Sequence, residues 1–414
     1  MRPARRGAAL AALLLLGAMR PVAAETPDLA RGLNLEIWVE WLAVDDMLAR
    51  EGFLTPFPDW RRFVGKEEFE RYRADGFDFL RMPFDPGPML ALGPGPAQDA
   101  LIADIRAAAE MGHEAGLTVI VDLHSIPRPD EVWGTDDVVG RLWPDYLPLV
   151  GRVAAALDGL PPERTLFEPL NEPTLDCDAI WDDSADAPPE RWPDMLAQMH
   201  AVARAGAPDL PLVLSGACWG GIDGLERVDP ERIGDENVIW SYHSYDPFPF
   251  THQSANWTGS PLKYISRLPY PPSSLDDVTA MERAAAAALR MQAAEGAADP
   301  AAIAAEIAAY RAMPDDIGPA VSARAAEWAA RHGIPARRLI LGEFGAIHTD
   351  QEGRFPGDDA LRYIADQRAG AEQQGIAWAV WSLTGEMAVT LPDDPARVMD
   401  PAVCDALGLA GCAP

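Results

Sequence analysis

Eight short apolar runs, spaced by amphipathic stretches, constrain this chain more than any other feature. They are "GLNLEIW" from Gly32, "FDFLRMP" from Phe77, "LTVIVDLH" from Leu117, "TLFEPLNEP" from Thr165, "LPLVLSG" from Leu210, "VIWSYHSY" from Val238, "LILGEFG" from Leu339 and "IAWAVWS" from Ile376. Near-continuous apolar runs suit parallel strands buried on both faces. Between them, stretches such as "DALIADIRAAAEMGHEAG" and "DMLAQMHAVARAGA" carry helical periodicity. Strand and helix alternating in this way predict an α/β fold, a (β/α)8 TIM barrel. An open doubly wound sheet is the competing architecture. It would want a Gly-rich phosphate loop after an early strand, and the sequence has none there. Pro and Gly are spread along the chain and no period recurs, so residues 25–414 read as one domain.

Residues 1–24 read as an export signal. Arg2, Arg5 and Arg6 precede the apolar "GAALAALLLLGAM", too short to span a bilayer, and "PVAA" predicts cleavage after Ala24. An uncleaved membrane anchor is the other reading. The expected location is therefore periplasmic or secreted, with no membrane attachment after cleavage. The formal net charge of −30 excludes nucleic acid and anionic membranes as partners and favours a neutral or cationic ligand. A monomer is expected. Four cysteines in an exported chain suggest disulfides, with three possible connectivities. Cys177 follows the fourth strand and Cys218 the fifth, on adjacent loops, while Cys404 and Cys412 are close in the tail. The expected pairs are Cys177–Cys218 and Cys404–Cys412.

In a barrel of this kind functional groups stand at the C-terminal strand ends. Polar residues recur there: Arg81, His124, Asn171 with Glu172, His243 with Tyr245, Glu343 and Trp381. A single buried Arg or His is more often a satisfied structural group, but six such ends converging on one rim are hard to explain by stability alone. Glu172 and Glu343 follow strands that face each other across the barrel mouth. Two carboxyls about 5–5.5 Å apart suit retaining glycoside hydrolysis, one as nucleophile and the other as acid/base. Arg81 beside Glu343 would hold its negative charge, and Glu172, with fewer cations near it, would keep its proton. Glu168 lies on the same strand face as Glu172, about 13 Å deeper by strand rise, and reads as a structural core acid.

With these motifs the chain resembles glycoside hydrolase family 5, the cellulase-type family of the large retaining barrel clan, from "RGLNLE" to "WAVWSL". The resemblance implies eight site residues, matched by Arg81 in "FLRMPF", His124 in "VIVDLH", Asn171 and Glu172 in "NEP", His243 and Tyr245 in "YHSY", Glu343 in "LGEFG", and Trp381. It implies Glu343 as nucleophile, Glu172 as acid/base and Asn171 on the sugar 2-hydroxyl. Arg81 and Tyr245 would contact the nucleophile, His124 and His243 would orient sugar and acid, and Trp381 would be a stacking floor. No cofactor and no metal are expected.

Around these eight, Trp38, Trp41, Trp133, Trp219 and Trp257 fall in expected rim loops, where aromatic faces bind sugars. The stretch between strands six and seven is long, with an insertion expected at about 246–315. His252, Gln253 and Trp257 are its expected sugar-facing residues, and its Ala-rich helices after Leu275 are expected on the barrel's outside. The expected substrate is a β-linked poly- or oligosaccharide, and the expected activity an endo-β-glucanase. A β-mannanase or exo-β-glucosidase is the alternative within the family. A metal-dependent hydrolase using Asp122, His124 and His243 is disfavoured because the first strand lacks His-x-His, and a non-catalytic glycan-binding or secretion-accessory protein because both acids are kept.

Overall fold

The computed structural model describes residues 27–35, 64–125, 134–182, 184, 187–350, 353–354, 358–392 and 394–412. The expected export signal and Trp38, Trp41 and Trp133 lie outside these residues. Among the described residues no helix is long and apolar enough to cross a membrane.

Eight parallel strands close into a barrel in chain order. They are β1 (Arg31–Asn34), β2 (Phe79–Phe84), β3 (Thr118–Leu123), β4 (Thr165–Glu168), β5 (Leu212–Ser215), β6 (Val238–His243), β7 (Leu339–Glu343) and β8 (Ala377–Val380), which pairs back onto β1. Each overlaps one of the eight apolar runs. The reason is burial on two faces. Phe79, Ile120, Leu166, Val213, Ile239, Ile340, Ala377 and Ala379 fill the interior as one apolar plug. The alternate positions, among them Leu80, Val121, Phe167, Leu214, Trp240, Leu341 and Trp378, pack outward in the larger core shared with the helices. Each such side chain contributes roughly 1.5–3 kcal/mol on burial.

Two residues beyond the plug toward the C-terminal ends, the same inward face turns polar. It presents Asn34, Arg81, Asp122, Glu168, Ser215 and Ser241, all buried. This polar tier separates the apolar plug from the rim.

The principal helices are α1 (Lys66–Asp75), α2 (Pro96–Glu114), α3 (Trp143–Leu157), α4 (Cys177–Trp181), α5 (Trp192–Gly206), α6 (Ile222–Glu226), α7 (Asp277–Glu295), α8 (Pro300–Arg311), α9 (Ile317–Arg331) and α10 (Asp358–Gln373). A Pro in the first turn starts α2, α3 and α5, where a missing N–H costs nothing. Asp276 and Asp299 cap α7 and α8 by accepting from Thr279 N and Ala302 N. A short antiparallel pair, Thr349–Asp350 with Gly353–Arg354, was not foreseen.

Residues 244–338 connect β6 to β7. The sequence expectation put the Ala-rich helices on the barrel's outside, and the structure shows what each helix of this connection leans on. Only α9 packs on β7 and on α10. Helices α7 and α8 pack on each other and on the loop that leaves β6. Tyr264 OH donates to Glu295 of α7 (2.8 Å), Arg290 of α7 donates to Tyr264 O (2.9 Å), and Tyr310 of α8 donates to Pro269 O. They buttress the rim loop from behind.

The reading of Glu168 and Glu172 as one extended strand face is corrected. β4 ends at Glu168, and the chain turns through Pro169 to Glu172, which sits at φ +39°. The separation expected from strand rise therefore does not apply.

Candidate active site

Arg81 organises the rim. Fully buried on β2, its guanidinium spends its donors on groups from four other strands and a loop. Nε and Nη2 hold Glu168 (2.7 and 3.1 Å), Nη1 reaches Asn34 Oδ1 (3.0 Å) and Glu343 Oε1 (2.6 Å), and Nη2 reaches Asn171 Oδ1 (2.7 Å) and Asp122 Oδ2 (2.9 Å). A buried charge without partners would be prohibitive. Burial opposes the charge, but the carboxylates outweigh it and raise the Arg81 pKa well above its usual value. Glu168 thus gains its explanation as the fork that fixes Arg81. Burial pushes the Glu168 and Asp122 carboxyls up, with Arg81 pulling against it.

Asn171 is gripped from both ends. Its Oδ1 accepts from Arg81, and its Nδ2 lies 3.3 Å from His124 Nε2. His124 Nδ1 lies 2.7 Å from Asp122 Oδ2. The Asp122 carboxylate accepts from Nδ1–H, which leaves Nε2 free to accept from Asn171. Burial lowers the His124 pKa, in keeping with a neutral ring. The same ring stacks against Trp381, centroids 5.2 Å apart. Asp122 is thus engaged with Arg81 and His124, and His124 with Asp122 and Asn171, rather than gathered with His243 as metal ligands.

Glu343 accepts from two donors, Arg81 Nη1 on one oxygen and the Tyr245 hydroxyl on the other (2.8 Å). Burial and the neighbouring Glu343 and Glu172 charges keep the Tyr245 phenol protonated, its pKa well above the ordinary value. A β-bulge sets this register. Tyr242 aligns with Leu341 but His243 with Glu343, so Gly342 is the extra residue. A Cβ at Gly342 would stand 2.6 Å from Ser241 Oγ and 3.0 Å from His243 Nε2, so only glycine lets the bulge close.

Glu172 has a different environment. One oxygen lies 2.7 Å from His243 Nδ1, a bond that carries a single proton. Burial raises the Glu172 pKa to about 7, with His124 and Arg81 opposing. Its side chain is 20% exposed, so the acid still opens to the cleft. Burial lowers His243 to about 4, which makes the ring neutral near pH 7. The left-handed backbone of Glu172 is held from both sides. Asn171 N donates to Leu123 O (3.0 Å), and Trp219 N and Cys218 N donate to Pro173 O (3.0 Å) and Leu175 O (3.1 Å). Cys177 and Cys218 are joined, S–S 2.06 Å, as are Cys404 and Cys412, S–S 2.08 Å.

One carboxyl oxygen from each of Glu172 and Glu343, with a nitrogen of His243, lie within 4.8 Å of one another. Carboxyl oxygens this close suit a single reacting carbon between them, as in a retaining pair. The trio has the donor types of a cation site, but Arg81 already delivers a positive charge to Glu343.

The rim aromatics divide. Trp219 is 45% and Trp257 60% exposed. His252 is half-buried, edge-on to Tyr245 (4.9 Å) and to Trp257 (6.4 Å), and stacked on Phe248 (4.1 Å). Burial drops the His252 pKa to about 3. Gln253 is a correction: it is buried, and its Oε1 accepts from Leu268 N (2.7 Å), so it ties the loop together and faces no cleft. The sequence reading passed over Asn34, whose Nδ2 donates to the carbonyls of Gly342, Ala379 and Val380. Its signal was present, a polar residue inside the first apolar run.

A family model for cellulases of glycosyl hydrolase family 5 matches residues 51–387. Endoglucanase 3 of Fibrobacter succinogenes is 23% identical over 302 residues, 70% of this chain and 40% of that protein. Endoglucanase C of Acetivibrio thermocellus is 25% identical over 249 residues, 58% of this chain and 64% of its own length. The chain thus spans less than two thirds of these curated relatives. Among solved structures, endoglucanase Cel5A from Thermotoga maritima superposes with a TM-score of 0.59 at 21% identity over 91% of this chain and 96% of that one. The cellulose synthase subunit Z of Clostridioides difficile gives 0.62 at 16% identity over 92% and 99%. Both share the fold. By the extent of its family match, the chain belongs to glycosyl hydrolase family 5, the cellulase family.

Proposed function

We propose that the chain is a retaining glycoside hydrolase acting on β-glucan, an exported endo-β-glucanase with Glu343 as nucleophile and Glu172 as acid/base. The observation that carries this reading is the pair of carboxyls within 4.8 Å in opposed environments. One accepts from a guanidinium and a phenol, and the other has its pKa raised to about 7. Glu343 attacks the anomeric carbon as the glycosidic C–O bond breaks, and the Glu172 proton passes to the departing oxygen. Water then attacks the glycosyl-enzyme. Glu172, now ionised, takes the water's proton, and the bond to Glu343 breaks. Asn171, its Oδ1 occupied by Arg81, keeps one N–H for the sugar 2-hydroxyl. Trp381, backed by His124, offers the floor. The endoglucanase relatives support glucan over mannan.

Two inversions give retention, so the first product formed should be the β anomer. Proton NMR within the first turnovers checks this, and an initially α product overturns the mechanism. Hydrolysis of a panel of defined β-glucans and β-mannans separates the two substrate classes. Trp257, open to solvent and linked to Tyr245 through His252, borders the same cleft in this reading. Trp257→Ala should weaken binding of a soluble β-glucan polymer by about 2- to 10-fold, the worth of one aromatic stacking contact. Affinity electrophoresis in hydroxyethyl cellulose measures it, and unchanged mobility retardation removes Trp257 from the cleft.

A further inference from the structure

Among the described residues, three neighbouring buried polar atoms have no hydrogen-bond partner: Ser215 Oγ on β5, and Ser241 Oγ and His243 Nε2 on β6. Ser215 and Ser241 are register partners on adjacent strands, and both belong to the inward polar tier. The Cβ that Gly342 lacks would stand 2.6 Å from Ser241 Oγ and 3.0 Å from His243 Nε2, so these two atoms line the same gap. Buried polar atoms are nearly always paired, and three orphans in one place call for a reason. None of the three takes part in the proton transfers of the two carboxyls.

The reason lies in the His243 ring. Its backbone is fixed, with His243 N donating to Gly220 O (2.9 Å) and Ser244 N to Glu343 O (3.0 Å). The charged and titratable groups about it are Glu172, Glu343, Arg81, Glu168 and His124, and burial keeps the ring neutral. A neutral imidazole carries one N–H, so two arrangements are open. In the first, Nδ1–H donates to Glu172 Oε1, Nε2 is an acceptor, and the acid proton of Glu172 sits on Oε2. In the second, Nε2 carries the ring proton, and Glu172 spends its own proton on Nδ1, turned away from any leaving group. Glu343 Oε2, 3.6 Å from Nδ1, draws the ring proton to Nδ1. Donor counting agrees. Two hydroxyls ending on a bare Nε2 leave every donor satisfied. Two hydroxyls beside an Nε2–H leave one buried donor with no acceptor, which proteins rarely tolerate. One buried water joining the three atoms keeps the same preference, and three partners are the usual number for such a water.

We propose that Ser241 and Ser215, donating in sequence or through one buried water, hold His243 as the Nδ1–H tautomer and so keep the acid proton of Glu172 on the oxygen that His243 does not touch. The two serines are positioning residues, acting on the acid through the imidazole. This rests on the assignment of Glu172 as the acid.

Two measurements test it. Heteronuclear NMR of protein labelled with nitrogen-15 histidine reads the tautomer directly, with the His243 signals assigned by their loss in His243→Gln. Between the pKa of His243, about 4, and that of Glu172, about 7, the ring should show a protonated Nδ1 and a bare Nε2. In the double variant Ser215→Ala/Ser241→Ala it should become a mixture of tautomers. In kinetics, kcat/KM of the double variant on cellotetraose should fall by about 3- to 10-fold, the net worth of one hydrogen bond. On dinitrophenyl β-cellobioside, whose leaving group needs no acid, it should stay unchanged, and Ser241→Thr, which keeps a hydroxyl, should lose little on either substrate. If the double variant does not fold, Ser241→Ala alone carries both measurements. An Nε2–H ring in the unaltered protein, a tautomer unchanged by loss of the hydroxyls, or equal losses on the two substrates overturns the proposal. The NMR arm needs no turnover, so a chain that hydrolyses no β-glycoside would sink the hydrolase assignment while the tautomer is still read.

Discussion

Glu343→Gln should abolish hydrolysis of every β-glycoside, activated or not, with a loss on the order of 10^4-fold or more, since an amide cannot form the glycosyl-enzyme. Folding should be little changed, because the amide oxygen can still accept from Arg81 or Tyr245. Glu172→Gln should behave differently. On unactivated glucan the loss should be about 10^2- to 10^4-fold, the usual worth of general acid catalysis. On an aryl glycoside with a good leaving group the first step should survive and the glycosyl-enzyme should accumulate as a burst. The pH profile separates the two acids further. With its pKa raised to about 7 by burial, Glu172 is protonated below that pH, so the unaltered enzyme's activity on glucan should fall as pH rises through about 7. The high-pH limb should vanish from the first step in Glu172→Gln. Equal losses on both substrate types, or a limb that persists, would refute this division of labour.

Arg81→Met should cost about 3–5 kcal/mol of stability or more, the usual result of removing one partner from a buried ion cluster. The change strands Glu168, Asp122 and Glu343, all buried. Against a typical total of about 5–15 kcal/mol, that is enough to depress the denaturant midpoint strongly. Arg81→Lys should recover only part, because an ammonium cannot fork onto Glu168 while reaching Asn34 and Asn171. Glu168→Gln should cost less, roughly 1–3 kcal/mol, since one oxygen still accepts and the volume is kept. A denaturation midpoint for Arg81→Met equal to that of the unaltered protein would show that the cluster contributes nothing.

What was legible in the sequence has a common physical basis. The eight strands announced themselves because burial on both faces leaves little room for polar residues until the strand emerges at the rim. For the same reason polar residues near the C-terminal ends of these runs marked the site: Arg81, His124, Asn171, His243 and Glu343 are all brought together. What was not legible depends on backbone geometry that no residue pattern specifies. The bulge at Gly342 shifts β7 by one residue, and nothing in "LGEFG" distinguishes it from an ordinary strand end. β4 ends at Glu168 and the chain turns from Pro169 to a positive φ at Glu172, which invalidated the depth assigned to Glu168. Gln253 looked like a sugar contact because it is polar in a loop, but its partner, the Leu268 amide, lies fifteen residues away. Helices α7 and α8 were expected on the barrel's outside, but their composition does not say that they lean on the rim loop.

The web around Arg81 also bears on how this chain can come apart. Its ligands are drawn from β1, β3, β4 and β7, so Asn34 and Glu343 are joined through it across most of the chain. A barrel lacking its last strands would keep Asp122 and Glu168 crowded about one guanidinium and leave Asn34 without the carbonyls of β7 and β8. A barrel lacking its first strands would hold those acids with no cation at all. Neither fragment can bury its inner face cheaply. Assembly is therefore all-or-none at this tier: a half-barrel intermediate would stay open to water there, and the two halves of the gene product should not persist as separate folded pieces.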